Sequence, residues 1–301
     1  MTTQYHEGEL AVQARAGVQS EASRINRSIR STIPPVAQEF LRNQEMVIVS
    51  SVDGEGRVWA SLLTGNPGFL KALDEQTIEI NAVPLPGDPL AENIHAGGAL
   101  GLLAIDLATR RRMRTNGSIV EYTQGRIVLR TQQVYANCHK YIQVRTLYAE
   151  DGQARPVGFK RTQQITEVQR QWIERADTFF IASYHPIGGT DASHRGGLPG
   201  FVQLDRSGSR LTFPDYAGNR MFQTLGNLTS NPHAGLLFLD FDNGCTLQLS
   251  GRAKVIWDKE RVAEFAGAER VVEYRIDEVV EIAGASPLRG ELVEYSPFLP
   301  D

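Results

Sequence analysis

The sequence repeats itself once, and this repeat constrains the fold more than any other feature. Its first block, FLRNQEMVIVSS, aligns with WIERADTFFIAS further along the chain. Each pattern predicts the end of an amphipathic helix followed by a buried strand. Three blocks match in the same order: 40–51 with 172–183 and 60–69 with 192–201 at an offset of 132 positions, and 102–107 with 236–241 at an offset of 134. Three matches in one order predict the same folding unit twice.

Each copy has the same predicted order of elements. A helix precedes the first strand, tight turns join the strands, and a Pro/Gly loop leads into a short helix. The strands are predicted at 46–52, 77–81, 99–107 and 113–123, and again at 179–183, 210–213, 234–241 and 246–257; the short helices are predicted at 88–94 and 220–227. Strands joined by tight turns, with few helices, favour a closed antiparallel barrel in each half. The predicted fold is mainly β with some α, with domains at 1–150 and 160–301.

Both ends of the chain add further elements. Val18, Ala22, Ile25 and Ile29 fall on one face at helical spacing, which predicts an N-terminal helix that Pro34-Pro35 ends. The C-terminal stretch 269–282, rich in Glu, Val and Arg, is compatible with a docking helix or a strand.

Composition excludes several classes of protein. The 301 residues are 41% hydrophobic and 22% charged, as in ordinary globular proteins, and the length suits two domains. A net charge of −4 argues against non-specific nucleic-acid binding, which needs an excess of Lys and Arg. The two cysteines are too few for a disulfide framework. We find no signal peptide and no apolar run that could span a bilayer, so we expect a cytoplasmic protein that binds neither nucleic acid nor membrane. Exposed strand edges could make it a homodimer.

The two copies differ in charge at two places. The second copy has SHRGG at 193–197 where the first has SLLTG at 61–65. It also has FPDYAGNR at 213–220, whereas the matching loop 81–88, NAVPLPGD, has no basic residue. Arginine suits phosphate because its planar fork donates two parallel hydrogen bonds. We therefore predict that Arg195 and Arg220, the latter at a predicted helix start, hold one phosphate. The alternative is a solvated rim, and the difference between the copies favours a site.

These segments resemble a known family. SHRGGLPGF at 193–201 and FPDYAGNRMFQTLGNL at 213–228 resemble the pyridoxamine 5'-phosphate oxidase-like proteins with the FMN-binding split β-barrel. More narrowly, the chain is similar to the two-barrel predicted flavin-nucleotide-binding branch, and YHEGELAVQ at 5–13 and YANCHKYIQ at 135–143 resemble that branch as well. One departure is His139, where a proline is expected; it bears on the local geometry of the linker.

The resemblance implies FMN as the cofactor, lying between the two barrels of one chain, with a degenerate site in the first half. It implies that Arg195, Asn219 and Arg220 hold the phosphate and that Ser193 donates its hydroxyl. The other implied contacts are Asp215 and Tyr216 along the flavin or ribityl chain, Thr224 and Asn227 near the phosphate, and Lys140 and Tyr141 approaching from the linker. For these two, interface packing is an equal alternative. His194 is interpreted as a flavin or substrate contact, with a structural role nearly as well supported.

The predicted function is that of an FMN-dependent oxidoreductase acting on an unknown small molecule, with NAD(P)H as a candidate electron donor. The flavin would do the hydride chemistry, and a cation such as Lys140 near its N1/C2=O edge would favour the reduced form. One alternative is a flavin-nucleotide-binding or sensing module without turnover. Another is a haem-handling protein, because a fold does not fix a function. An open pocket over the flavin favours an enzyme, a closed one favours a binder, and His194 or His139 on an open side would favour haem.

Other motifs carry less chemistry. We find no G-x-G-x-x-G, Walker or H-E-x-x-H motif, and the six histidines lack metal-ligand spacing, so no metal is expected. The run Arg110-Arg111-Arg112 with Arg114 is predicted to lie at a solvated hairpin turn, with contact to an anionic ligand as the alternative.

Overall fold

The computed structural model describes residues 5–150 and 158–300, and strands dominate it. The strands are β1 (Met46–Val52), β2 (Val58–Thr64), β3 (Leu70–Asp74), β4 (Thr77–Ile80), β5 (Ala99–Asp106), β6 (Arg111–Thr123), β7 (Arg126–Ala136), β8 (Val144–Ala149), β9 (Gly158–Thr162), β10 (Thr178–His185), β11 (Gly189–Gly196), β12 (Gln203–Leu204), β13 (Arg210–Tyr216), β14 (His233–Asp240), β15 (Cys245–Ile256), β16 (Ala268–Ala283) and β17 (Leu288–Glu294). The α-helices are α1 (Glu7–Arg15), α2 (Gln19–Ile25), α3 (Pro35–Arg42), α4 (Leu90–Asn93), α5 (Glu167–Arg175), α6 (Gln223–Ser230) and α7 (Lys259–Ala263).

Two antiparallel sheets share one strand order. The first runs β2-β1-β5-β6-β7-β4-β3, and the second runs β11-β10-β14-β15-β16-β13-β12, with β9 also paired to β16. Each sheet surrounds its own apolar core, which confirms the predicted split-barrel fold. The stretch 269–282, left open between helix and strand, lies in β16. That the halves arose by duplication stays a prediction. So does the domain boundary between 150 and 160, which falls largely outside the described residues.

The first strand of each barrel is buried on both faces. In β1, Val47 and Val49 point into the core of the first barrel, because side chains alternate along a strand. Ile48 points the other way and packs with Phe180 and Leu237 of the second barrel. A strand that is buried on both faces needs an apolar residue at nearly every position. The uninterrupted apolar runs that define the repeat therefore serve two packing surfaces, the inside of a barrel and the contact between barrels.

The two barrels approach backbone to backbone at a pair of equivalent glycines. A Cβ atom on Gly101 of β5 would lie 2.7 Å from the carbonyl oxygen of Thr190 in β11. A Cβ atom on Gly235 of β14 would lie 2.7 Å from the carbonyl oxygen of Val58 in β2. Gly101 and Gly235 are 134 positions apart, and the residues that they contact, Thr190 and Val58, are 132 positions apart, so both pairs follow the offsets of the repeat. The same contact is thus made twice with exchanged roles, as in a two-fold symmetric pair.

The G-x-P-G-F motif forms the same turn in both barrels. In 65–69 the Phe69 N–H donates to the Asn66 carbonyl at 2.9 Å, and Gly68 has a φ of 97°. In 197–201 the corresponding bond is also 2.9 Å and the corresponding glycine has a φ of 90°. Proline before a glycine of positive φ is the pattern of a type II turn. This part of the family motif therefore has a structural role in both halves.

The N-terminal segment differs from its prediction. The structure has two helices, α1 and α2, before Pro34, rather than one helix that Pro34-Pro35 ends. These prolines begin α3, with Pro35 at its first position, because proline lacks only an N–H that the first turn does not use. Val18, Ala22 and Ile29 are buried, as their spacing predicted. No helix in the described part of the chain is long and apolar enough to cross a membrane.

Helix α1 docks closely on α6. A Cβ atom on Gly226 would lie 2.6 Å from Glu9 Cγ, so the two helices meet with almost no space between them. At the start of α1, His6 stacks on His185 of β10 at 3.7 Å. Glu9 is 3% exposed, and burial raises the pKa of its carboxyl to about 7. The N-terminal helix therefore carries an acid whose charge is disfavoured in the folded protein.

Substituting Gly235 by Ala is expected to lower the free energy of unfolding by about 1 to 3 kcal/mol, because the added methyl group must push two backbones apart. Chemical denaturation measures the change. Gly54→Ala is the matched control, since a Cβ atom there meets nothing within 4 Å. Equal losses of stability in the two variants would contradict the close approach of the barrels.

Glu9→Gln is expected to stabilise the protein by about 3 kcal/mol at pH 8 and to change little at pH 5. The folded pKa of about 7 lies above the ordinary 4.5, so stability is fully present below pH 4.5 and is lost as the pH rises through 7. A glutamine stays neutral and can still accept the 2.8 Å bond from the His6 N–H. Urea unfolding of both proteins at the two pH values measures the difference. A wild-type advantage at pH 8 would show that Glu9 is not destabilising.

Candidate functional site

A cleft lies where the second barrel faces β6 of the first barrel and the linker after β7. It contains about 760 Å³ of empty space including its open mouth, but it is narrow, with a cavity volume of about 90 Å³. The second barrel contributes β11, β13 and the loop that leads into α6. Ten of the eleven predicted site residues line this cleft: Lys140, Tyr141, Ser193, His194, Arg195, Asp215, Tyr216, Asn219, Arg220 and Thr224. Residues far apart in sequence are therefore brought to one place.

Asn227 is the predicted residue that does not line the cleft. Its Nδ2 donates to Ser183 Oγ at 2.9 Å, and its Oδ1 pairs with His6 Nε2 at 2.8 Å. At the matching place in the first barrel, Asn93 Nδ2 donates to Ser51 Oγ at 3.0 Å. Because the same bond occurs in both barrels, Asn227 holds α6 on β10; that it lies near a phosphate stays a prediction.

Two arginines of the first barrel also line the cleft, although the sequence analysis does not include them among the predicted site residues. Arg112 and Arg114 were predicted to lie at a solvated turn, but the turn occupies 107–110 and β6 begins at Arg111. Strand alternation puts Arg112 and Arg114 on one face, toward the second barrel, while Met113 points into its own core. Arg114 is only 3% exposed. The period-two spacing of the arginine run was the signal that could have found them.

Four buried N–H groups of the cleft lack an acceptor among the described residues. They are the Nε groups of Arg112, Arg114 and Arg195, and Nε2 of His194. Arg112 Nη1 lies 3.3 Å from His194 Nδ1, and since an arginine can only donate, the imidazole proton lies on Nε2. A buried donor without a partner costs free energy that a ligand with several acceptor oxygens would recover.

The charges of the cleft are unbalanced. Five cationic side chains line it, whereas Asp215 is the only carboxylate that does so in the described part of the chain. Burial, and then the neighbouring guanidinium groups of Arg114 and Arg195, lowers the pKa of Arg112 to about 9. Burial, and then the charges of Arg112, Arg195 and Arg145, hold the pKa of His194 well below 6.5, so its ring is neutral at physiological pH. The cleft is therefore suited to an anion.

Carboxylates in and behind the cleft hold the arginines in place. Asp215, predicted to lie along the flavin, lines the cleft and accepts from Arg195 at 2.5 Å and from Arg270 Nε at 2.9 Å. Arg270 is buried in β16 and was not predicted. Asp191 of β11 pairs with Arg114 across the contact between barrels. These pairs fix the guanidinium positions and leave the Nε groups of Arg114 and Arg195 unused.

Arg220 is held differently from the prediction. Helix α6 begins at Gln223, so Arg220 lies in the loop before it rather than at the helix start. Its guanidinium pairs with both carboxylate oxygens of Glu269, at 2.7 and 2.8 Å. Arg220 and Phe222 both have a φ of 63°, a left-handed conformation that costs on the order of 1 to 3 kcal/mol for residues other than glycine. Strain of this kind, beside a cationic cleft, is typical of functional loops.

The linker is tied to the second barrel at the mouth of the cleft. Tyr141 donates its hydroxyl to the Ala217 carbonyl at 3.0 Å, and its ring lies 5.0 Å from that of Tyr216. Asn219 donates to Asn137 Oδ1 at 2.8 Å. The linker therefore completes the wall of a cleft that neither barrel forms alone.

The corresponding place in the first barrel is filled by the chain itself. Ser61 donates to Asp88 at 2.6 Å, and Gln248 donates to Ser61 at 3.0 Å and to Asp88 at 3.2 Å. By the repeat offsets, these three residues match Ser193, Arg114 and Arg220 of the cleft. Asp88 is buried, and its burial raises the pKa of the carboxyl. The first barrel therefore has a hydrogen-bonded network around a carboxyl group whose uncharged form is favoured, where the second barrel has cations.

Inorganic phosphate is expected to raise the melting temperature by several degrees at 100 times its Kd, where binding to the folded state alone contributes about 2.7 kcal/mol. Thermal unfolding in phosphate and in sodium chloride of equal ionic strength measures the shift. Arg195→Ala should reduce it, whereas Arg206→Ala, at an exposed arginine outside the cleft, should not. An equal shift in chloride would mean that the cleft does not select phosphate.

The comparisons with known proteins agree with the family resemblance. Residues 165–289 match the family model of pyridoxamine 5'-phosphate oxidase. HupZ of Group A Streptococcus is a similar solved structure; it is 11% identical, the match covers 44% of this chain and 98% of that chain, and the TM-score is 0.31. A candidate pyridoxamine 5'-phosphate oxidase from Lactobacillus delbrueckii is 18% identical, with coverages of 39% and 94% and a TM-score of 0.33. A candidate pyridoxamine 5'-phosphate oxidase from Listeria innocua is 16% identical, with coverages of 37% and 91% and a TM-score of 0.29. No curated protein matches the sequence. The match lies in the second barrel, which is therefore similar to the pyridoxamine 5'-phosphate oxidase family.

Proposed function

We propose that this protein is an FMN-binding oxidoreductase and that the cleft of the second barrel holds the phosphate of FMN. The observation that carries the proposal is the cluster of Arg112, Arg114 and Arg195, whose buried Nε groups have no acceptor among the described residues. A phosphate monoester brings about two negative charges and three strong acceptor oxygens. It therefore supplies both the charge and the acceptors that these groups lack.

The phosphate would be held across the contact between barrels. Arg112 and Arg114 come from the first barrel, and His194 and Arg195 from the second, so neither barrel supplies the donors alone. His194 takes part as a neutral N–H donor. Ser193 and Thr224, which line the same cleft, add hydroxyl groups.

When bound, FMN supplies hydride and electron transfer at its ring system, and the protein supplies binding, orientation and electrostatics. Tyr141 and Tyr216 form a wall that excludes water from one side of the cleft. Lys140 lies at the same wall, where its ammonium group would favour the reduced, anionic flavin. No side chain of the cleft has to transfer a proton for this role.

We expect one FMN per chain. At the equivalent place of the first barrel, Ser61 and Gln248 of the second barrel both donate to Asp88, and no arginine takes their place. A phosphate there would meet a carboxyl group rather than guanidinium groups. We therefore propose that residues 160–301 carry the working site and that the site of 1–150 is degenerate.

Two observations bear on the alternative functions. A wide cleft of about 790 Å³ opens beside the phosphate site, which favours an enzyme with room for a substrate over a closed binding module. For a haem-handling role, His194 would need a free ring nitrogen. Its Nδ1 faces Arg112 and its Nε2 carries the proton, so this histidine does not favour haem. His139, by contrast, is exposed and lines the wide cleft, which keeps haem as the second candidate ligand.

The purified protein is expected to be yellow, to release one FMN per chain, and to bind FMN at least about 100-fold more tightly than riboflavin. Riboflavin lacks only the phosphate, and two charge-assisted hydrogen bonds of about 1.5 kcal/mol each account for that factor. Flavin fluorescence quenching measures both affinities on protein freed of flavin.

Variants locate the site. Arg195→Lys keeps the charge but loses the planar fork, so it should weaken FMN binding and leave riboflavin binding nearly unchanged. Arg206→Ala is the control. Equal affinity for the two flavins would contradict the phosphate site, and two FMN per chain would contradict the degenerate first site. NADH and NADPH oxidation assays then test turnover.

A further inference from the structure

A second and wider cleft lies directly beside the phosphate site. It has a volume of about 790 Å³, within the range of cavities that bind small organic molecules. Its walls come from the N-terminal segment at 28–40, the hairpin at 109–113, the end of β7 with the linker at 134–139, and Phe298 near the C-terminus. The phosphate site uses only the edge of this cleft.

The lining of this wide cleft is largely apolar. Phe40, Met113 and Val134 are buried in its wall. Val36 and Phe298 lie in the lining as well but are 65% and 41% exposed. Large apolar side chains that remain exposed around a concave surface are typical of a binding site, because water contact with them is unfavourable. The cleft is therefore suited to a ligand with an apolar or aromatic body.

The charged groups of the wide cleft are all basic. Arg30, Arg110, Arg111 and Arg112 line it, and no carboxylate does so in the described ranges 5–150 and 158–300. Arg110 is paired with Glu294 at 3.0 Å. Arg30 and Arg111 are exposed and form no ion pair among the described residues, and Arg111 lies 5.1 Å from the Phe40 ring. An apolar cavity with two unpaired cations at its rim complements an organic anion.

The wide cleft is continuous with the phosphate site. Arg112 and Asn137 line both. Arg112 Nη2 donates to the Lys140 carbonyl at 2.8 Å, and the ammonium group of Lys140 lies 5.5 Å from the Phe298 ring. A ligand in the wide cleft would thus contact residues that also form the wall of the cofactor site.

We propose that the wide cleft binds the substrate, an organic anion with an apolar or aromatic body. The body lies against Phe40, Met113 and Phe298, and the acid group pairs with Arg30 or Arg111. That the wide cleft is a substrate site rests on the proposed function. That it binds an anion with an apolar body does not depend on that function.

The probe for this site is 8-anilinonaphthalene-1-sulfonate, an aromatic sulfonate whose fluorescence rises in apolar surroundings. Titrating it into the full-length, flavin-loaded protein is expected to show one site per chain. A double variant, Arg30→Ala with Arg111→Ala, should raise its Kd about 10-fold, because two exposed charge contacts are lost. Val36→Asp should weaken it as well, since it adds a negative charge at the rim.

Matched controls separate the site from general surface binding. Arg206→Ala removes an exposed arginine, and Ile187→Asp adds a charge at an apolar residue that is 86% exposed and outside the cleft. Both should leave the Kd unchanged. An unchanged Kd in the double variant would overturn the proposal.

Two further outcomes test the role of the bound anion. Saturation with the probe should shift the flavin absorbance bands, because the two ligands share the Arg112 wall; no shift would overturn the substrate role. Displacement of the probe by FMN would mean that the cofactor's own ring occupies the cleft, and would overturn the proposal. If FMN fails to bind but the probe still depends on Arg30 and Arg111, the anion site stands and the proposed function alone fails.

Discussion

The contact between the two barrels is the constraint on which the rest of the structure depends. Strands β1 and β10 each send alternate side chains into their own barrel and into the contact, so Ile48 meets Phe180 and Leu237. Gly101 and Gly235 let the backbones approach without intervening side chains. Removing this apolar surface from water is favourable at roughly 25 cal/mol per Å². Only because the barrels pack this closely do residues of both halves reach one cleft.

The same contact explains the electrostatics of the cleft. Arg114 of the first barrel is buried against the second, where its charge is compensated by Asp191. Burying a charge costs several kcal/mol unless it is paired and hydrogen-bonded. The carboxylates of Asp191 and Asp215 meet part of this requirement, and the unused Nε groups leave the rest for a ligand. At the equivalent place of the first barrel, Asp88 is bound by Ser61 and by Gln248 of the second barrel, and the site is filled.

Sequence comparison between the two copies located the second-barrel half of the site. Arg195 differs from its counterpart in the first copy, which is Leu63. Asn219 and Arg220 lie in a loop whose counterpart, 81–88, has no basic residue. The partners of these residues could not be located in this way. Asp215 is bound by Arg195 and Arg270, and Arg270 lies more than 50 residues further along the chain. The resemblance alone implies a ligand contact for Asn227, which is bonded in the same way as its counterpart Asn93.

The sequence by itself determined the order of elements in each half and the contrast in charge between the second-copy segments 193–197 and 213–220 and their counterparts in the first copy. These are local properties, set by apolar periodicity, by the φ preferences of proline and glycine, and by the identity of each side chain. The tertiary structure alone decided that Arg112 and Arg114 face the second barrel and that the wide cleft opens beside them. The direction in which a strand's polar face points depends on what packs against it, and that partner lies more than 70 residues away in the chain.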